Sequence, residues 1–440
     1  MILAMKLVWF EIKFSYLKEK LFLLISTLIL ILSLSCNESG KETVIDFWGL
    51  GSEGEFVKQL IPRFEAQNPS IKVKVQMAPW TAAQEKLISA FASDNLPDVF
   101  QLGNTWVPQF AQLEAITELS SQLPESKIIK KENYFEGIWD TNVLDSLVYG
   151  IPWYIDTRVM FYRKDVFEKA GFSSPPKTWD ELYQLSKKIK ASHKGEEKYA
   201  IFIATNEWAN FIIFGLQNGA EILKDNNTYG NFNGEKFTEA FSYLTKYYRE
   251  NLTPLGVSQV TNVYQAFAEE YFSIYISGPW NISEFKKWMT GDLQDKWMTA
   301  ALPGPNENIK GISLAGGSSL VISQRSKYKN EAWKLIEYLS KPETQIDFYH
   351  LVNDLPAVKE AWKDTSLSNN PYMKAFYEQF NYVVATPKIP EWEQIVFSKL
   401  QQYVELAARN VLSVKEALQK LDDDVNVILE KRRWMLSRNK

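Results

Sequence analysis

Residues 43–102 read TVIDFWGLGSEGEFVKQLIPRFEAQNPSIKVKVQMAPWTAAQEKLISAFASDNLPDVFQL, and their pattern decides the fold class. Thr43 to Trp48 is a β-branched and aromatic run, the composition of a strand. The loop Gly49–Glu55 follows. Phe56, Leu60 and Phe64 then recur at three- and four-residue spacing, which predicts a helix over 56–67 stopped by Pro69. Ile71 to Gln76 alternates as a second strand. Thr81 to Ser93 reads as a second helix, Pro97 ends the next turn, and Asp98 to Leu102 is a short buried strand. Strand, helix, strand, helix, strand is the order of an α/β unit with a largely parallel sheet. In such sheets ligands sit off the carboxyl ends of the strands, where Gly49–Glu55 and Gly103–Trp106 fall.

Upstream of this unit, Lys13, Lys18 and Lys20 precede an apolar run of 14 residues, Leu21 to Leu34, directly followed by Ser35 and Cys36. A positive flank and a short apolar stretch make a secretory signal, too short to span a bilayer comfortably. Ser33-Leu34-Ser35-Cys36 resembles the bacterial lipoprotein signal, in which the cysteine becomes the lipid-modified first residue. Cys36 is the sole cysteine of the chain and has no partner for an intrachain disulfide. Residues 1–35 are therefore expected to be a signal peptide and 36–42 a polar tether.

Without residues 1–35, 405 of the 440 remain, too many for one ordinary core, so two lobes are expected. The formal net charge of −4, with no block of like charges, gives no reason to expect a nucleic-acid partner. The only histidines are His193 and His350, so no structural metal and no cofactor is expected. Aromatic residues make up 14% of the chain, and such a surplus beside polar groups suits a carbohydrate cleft. Further on, Thr178–Ser192, Lys236–Asn251 and Glu331–Ser340 show helical periodicity. Thr178 with Glu181 three residues later forms a capping box. Val414, Leu418, Leu421, Val425 and Ile428 form one apolar helix face. Trp139, Trp179, Trp288, Trp297, Trp333 and Trp362 fall at packing positions.

Six blocks in order carry a resemblance over essentially the whole mature chain: 64–73 (FEAQNPSIKV), 96–103 (LPDVFQLG), 149–182 (YGIPWYIDTRVMFYRKDVFEKAGFSSPPKTWDEL), 277–280 (SGPW), 316–323 (GGSSLVIS) and 387–392 (PKIPEW). Together they resemble the maltose-binding-protein-like family, extracellular solute-binding proteins that serve as sugar-binding lipoproteins of ATP-driven (ABC) importers. One departure is Glu270-Tyr271-Phe272-Ser273-Ile274, bulkier than the Gly-Lys-Ala-Ala-Met type segment usual before the fourth block. The resemblance implies an α/β, two-lobed periplasmic-binding-protein fold of type II, each lobe a mainly parallel sheet flanked by helices, with the ligand cleft between lobes. It implies crossings near Tyr154–Thr157, Pro305–Gly311 and Leu355–Val358. One lobe would then hold 43–154 and 309–356, the other 155–308 and 357–440.

A sugar offers apolar C–H faces and a rim of hydroxyls, so its site needs flat aromatic platforms with carboxylates and amides around them. The resemblance places Glu53, Trp80, Asn104 and Trp106 at the cleft from the first lobe, and Trp153, Tyr154 and Asp156 at the first crossing. Glu207 and Trp208 belong to a second-lobe contact loop, Trp280 to a loop facing the cleft, and Trp392 to a further wall. Gly316 and Gly317 let backbone approach the ligand. Arg158 either orients Asp156 or pairs at the hinge. The expected function is a non-catalytic receptor, a lipid-anchored monomer outside the cytoplasmic membrane. It would capture a di- or oligosaccharide by hinge closure and deliver it to the transmembrane subunits of an ABC permease. Two alternatives stand beside it: the same fold binding glycerol phosphate, a polyol or another osmolyte, and a glycosidase using Asp156 and Glu207.

Overall fold

A computed structural model describes residues 42–255 and 260–438, with Trp9 and Lys20 besides. Cys36 and the apolar run before it lie outside the described residues. Among the described residues no helix is long and apolar enough to cross a membrane, and no cluster of His, Cys, Asp or Glu fits a metal ion.

The strands of the two main sheets and of a small accessory pair begin with β1 (Thr43–Leu50), β2 (Ile71–Ala78), β3 (Val99–Gly103), β4 (Ile151–Asp156), β5 (Val159–Arg163) and β6 (Ile201–Phe202). They continue with β7 (Ile274–Ser277), β8 (Trp297–Ala300), β9 (Ser313–Leu314), β10 (Gly316–Ile322), β11 (Leu355–Pro356) and β12 (Val383–Val384). The first sheet has the order β11-β4-β10-β3-β1-β2 and the second β8-β5-β7-β6, while β9 and β12 form a small pair of their own.

β2, β1 and β3 are parallel, as the strand–helix order requires. The other pairings of the first sheet are antiparallel, and the second sheet has one parallel and two antiparallel pairs. Both sheets are thus mixed, where mainly parallel ones were expected. β4 of the first sheet runs into β5 of the second through Thr157 and Arg158 alone, a passage from sheet to sheet.

That passage is stitched to its neighbours. Thr157 Oγ1 donates to the Leu314 carbonyl at 2.8 Å, Arg158 N donates to Ser313 Oγ at 3.2 Å, and Ser313 Oγ donates to the Arg158 carbonyl at 3.0 Å. On its other side β9 pairs with β12, and Ala315 N reaches the Val384 carbonyl at 2.8 Å.

Local sequence accounts for most element boundaries, with two corrections. The expected loop Gly49–Glu55 is already helical from Gly51: α1 (Gly51–Phe56) is followed by a 3-10 turn and a second short helix, Ile61–Gln67. A Cβ on Gly49 would lie 2.4 Å from Gly54 Cα, so the two glycines let α1 fold back onto the end of β1. Pro62, which lacks an N–H, stands at the start of the next helix and interrupts a continuous one. After α2 (Trp80–Ala92), Thr178 caps α3 (Trp179–Ser192) by accepting from Glu181 N at 3.2 Å. The Glu181 carboxylate, however, takes the N–H of Lys177 at 2.6 Å, so the reciprocal half of the capping box is displaced by one residue.

Aromatic packing joins sheets to helices. Trp153, only 1% exposed, stacks on Phe348 at 4.5 Å and meets the edge of Phe47 at 5.9 Å. Trp297 stacks on Tyr372 at 4.0 Å, and Phe161 lies between Phe285 and Phe376. Trp139, Trp179, Trp297 and Trp362 are buried and Trp333 partly so, but Trp288 is 39% exposed and is not core. The reason is its place at the last turn of the helix Asn281–Trp288, whose buried residues are Asn281, Ile282 and Phe285.

Trp153→Ala should lower stability by about 3–5 kcal/mol, the usual cost of a large aromatic cavity. Urea denaturation followed by circular dichroism measures it. A loss under about 1 kcal/mol would show that Phe348 and Phe47 close the gap.

Candidate functional site

The carboxyl end of β1, the start of α1 and the edge of β4 build one half of the site. Glu53 stands in the first turn of α1 and is 6% exposed. Its carboxylate accepts from Tyr154 Oη at 2.8 Å, Trp80 Nε1 at 3.2 Å and Ser52 Oγ at 3.2 Å. Behind it, Gln101 takes the Leu50 N–H at 2.8 Å on its oxygen and gives its amide N–H to Ser318 Oγ at 3.1 Å. Ser318 Oγ in turn donates to Tyr154 Oη at 3.1 Å. Buried polar groups of this kind hold position only when all are paired. Burial, then the Glu53 charge, drives the Tyr154 hydroxyl well above its ordinary pKa, so it stays a donor. Trp80 meets Trp106 edge to face at 5.6 Å, giving two aromatic rings beside this network. Gly51, at φ +50°, is required here, since a Cβ would fall 2.6 Å from the Trp80 ring.

The other half gathers at the passage between the sheets. Asp156 ends β4, and its Oδ1 accepts from Arg158 Nη1 at 2.8 Å. Arg158 Nη2 is 3.9 Å from Glu207, and its guanidinium lies over the Trp280 ring at 4.8 Å. Glu207 is fixed by capping α4 (Trp208–Gln217), accepting from Ala209 N at 3.3 Å. Burial pushes the Asp156 carboxyl above its ordinary pKa; Arg158 pulls it back and Glu207 raises it again. Trp280, 46% exposed, lies so flat on its own loop that a Cβ on Gly278 would fall 2.1 Å from the ring. The Gly-Pro-Trp order is thereby explained: only glycine leaves room for the indole.

The two halves meet through β10. A Cβ on Gly316 would lie 2.2 Å from Asp156 Oδ1, and one on Gly317 (φ +119°) 2.3 Å from the Tyr154 carbonyl. Both glycines therefore seat the β4 edge, Gly316 against the Asp156 carboxylate and Gly317 against the Tyr154–Ile155 backbone. Asn104 Nδ2 donates to the Ala315 carbonyl at 2.7 Å and ties the turn after β3 to the same strand.

Glu53, Trp80, Trp106 and Tyr154 thus come together, as do Asp156, Glu207 and Trp280, with Gly316, Gly317 and Asn104 between them. Two expected site residues do not belong. Trp153 is sealed between Phe348 and Phe47, because alternation along β4 turns it away from Tyr154. Trp392 is 1% exposed and lies in the second core, covered edge-on by Trp208 at 6.0 Å. Phe397, 54% exposed, stands perpendicular to Trp208 at 6.0 Å on the outer side.

Sequence reasoning also missed Asp354. Its Oδ2 is buried without a partner, and burial with the charges of Glu53 and Asp156 pushes its carboxyl up to about 8. The available signal was its place immediately before Leu355-Pro356, where a crossing was expected. Glu393, half-buried, has its carboxyl raised by desolvation and partly lowered again by Thr105, which brings the helix after residue 391 beside the turn after β3.

Comparison with known proteins follows the same outline. The family profile described as bacterial extracellular solute-binding protein matches residues 48–346. The solved structure of the sugar-binding protein MalE from the phytopathogen Xanthomonas citri is similar with a TM-score of 0.86 and 45% identity, covering 90% of this chain and 99% of that one. The diacetylchitobiose binding protein DasA of Streptomyces coelicolor is 26% identical over 348 residues, 78% of this chain and 79% of its own. The maltodextrin-binding protein MdxE of Bacillus subtilis is 26% identical over 391 residues, 86% of this chain and 87% of its own.

The raised Asp354 carboxyl predicts a pH dependence. An acid whose folded pKa of about 8 exceeds its ordinary 3.8 binds its proton more tightly when folded. Its contribution to stability is complete below the lower value and is lost as pH rises through the higher one. Urea midpoints should therefore fall across that window, by at most about 1.4 kcal/mol per pH unit. Asp354→Asn should flatten the slope and stabilise the alkaline end; an unchanged slope would remove Asp354 as its source.

Proposed function

The chain belongs to the bacterial extracellular solute-binding proteins, and we propose on that premise that it is the sugar receptor of an ATP-driven (ABC) importer, capturing a di- or oligosaccharide outside the cytoplasmic membrane and handing it to a permease. The observation that carries this reading is the exposed indole of Trp280 joined through Arg158 to Asp156 and Glu207, at the passage between the two sheets. An aromatic face receives the C–H side of a pyranose, and flanking carboxylates accept its hydroxyl protons. Relatives named for maltodextrin, diacetylchitobiose and other sugars support the same class.

In this reading the lobes are built around the two sheets, and closure turns on the stitched segments at Thr157–Arg158, Ser313–Ala315 and Val383–Val384. Trp80 and Trp106 face the ligand from the first sheet; Trp280, Trp208 and Phe397 face it from the second. Glu53 already accepts three hydrogen bonds, so it acts mainly by fixing Tyr154 and Trp80. The carboxylates bind and release without chemical change to the sugar. A phosphate ligand fits less well, because Arg158 is the cation contributed by the candidate residues and is already paired with Asp156. A micromolar complex requires about −8 kcal/mol net, within reach of a few stacked rings and charge-assisted hydrogen bonds.

Trp280→Ala should weaken sugar binding at least about tenfold without unfolding the protein. Intrinsic fluorescence titrations of residues 37–440 with a panel of mono-, di- and oligosaccharides measure it; unchanged affinity would remove Trp280 from the cleft. Lipid modification at Cys36 is part of the same proposal. Cys36→Ala should release the protein from membranes, and a variant that stays in the membrane fraction would point to an uncleaved anchor.

A further inference from the structure

Arg158 is the one candidate-site side chain that touches groups from both sheets. Its Nη1 bonds Asp156 at the end of β4, while Nη2 approaches Glu207 and the guanidinium plane rests on Trp280 beyond the end of β7. Its Nε–H is buried and has no acceptor among the described residues. Leaving such a donor unpaired is unfavourable. Its backbone is held independently of the side chain by Ser313, through N at 3.2 Å and O at 3.0 Å.

The charges around it are few. Glu53 is occupied by Tyr154, Trp80 and Ser52, and Asp354 keeps its proton near neutral pH. Tyr275, whose hydroxyl is raised chiefly by burial, lies within the fields of Glu207 and Arg158 and remains neutral. Beside the exposed indole stand the Asp156 and Glu207 carboxylates with the Arg158 guanidinium between them. A ligand amine stacked at Trp280 would meet that guanidinium within a few ångströms. Like-charge contact is a means of rejecting a competitor that attraction alone cannot reject.

Resting on the receptor reading, we propose that Arg158 is the specificity-determining residue of this cleft: paired with Asp156, close to Glu207 and covering one face of Trp280, it sets a positive charge against the stacking surface, admits neutral sugars and disfavours cationic amino sugars. Removing the guanidinium leaves two uncompensated carboxylates next to an aromatic platform, which is a site for an ammonium group.

The test uses residues 37–440 and three matched pairs, maltose, cellobiose and trehalose, each beside its 6-amino-6-deoxy analogue, titrated calorimetrically at neutral pH. The wild type should prefer the neutral member of whichever pair it binds. Arg158→Met should lose neutral-sugar affinity while the amine loses less or gains, shifting the ratio by at least about tenfold. Arg158→Lys should keep the wild-type ratio at lower affinity. Arg158→Gln repeats the measurement if the methionine variant does not fold, as judged by circular dichroism melting. Equal losses for both members in the neutral variants, or a wild type that prefers the amine, would overturn the proposal while leaving the receptor reading in place. A wild type that binds no member of any pair would overturn the proposal, and the receptor reading falls with it only if the mono-, di- and oligosaccharide panel also shows no binding.

Discussion

Two residues, Thr157 and Arg158, are all the chain that separates a strand of one sheet from a strand of the other. An extended chain covers about 3.3–3.6 Å per residue, so the carboxyl end of β4 and the start of β5 cannot lie more than about 10 Å apart. Every other feature of the site follows from that tether. Asp156 must lie beside whatever the second sheet presents, and what it presents is Glu207, capping α4, and the Gly278-Pro279-Trp280 turn after β7. Ser313 locks the tether by bonding both backbone groups of Arg158, so the geometry does not depend on the long arginine side chain.

Bringing acids together at such a joint is unfavourable unless each is compensated, and here each is handled differently. Glu53 is saturated with donors, Asp156 is ion-paired, Glu207 spends an oxygen on a helix N-terminus, and Asp354 is held protonated at neutral pH. These four solutions leave the walls polar without a large uncompensated charge. That electrostatic setting suits a neutral ligand rich in hydroxyl groups.

The glycines matter through close approach. Gly278 lets an indole lie on backbone, Gly316 makes room for the Asp156 carboxylate, and Gly49 with Gly54 folds α1 back over the end of β1. In each case a methyl group would fall within 2.6 Å of another atom, closer than van der Waals contact permits. Ligand contact was the expected reason for Gly316 and Gly317, yet the neighbour they accommodate is β4 itself.

What sequence alone determined was the class of structure and the ingredients of the site. Thr43–Trp48, Ile71–Gln76 and Asp98–Leu102 are strands for the reasons their composition suggested, and Thr178 and the 414–428 helix behave as their periodicity requires. These features are local, set by side-chain spacing and propensity, and six ordered blocks extended them to a family. Tertiary structure alone decided which aromatics stay exposed: Trp153 and Trp392 read like Trp280, but burial depends on what arrives from distant segments, Phe348 in one case and Trp208 in the other. It also decided the strand directions and the role of Asp354, whose carboxyl is shifted first by burial and then by Glu53 and Asp156, far away in sequence. Propensity acts over a few residues, whereas burial and electrostatic coupling act through space, and only the folded chain defines that space.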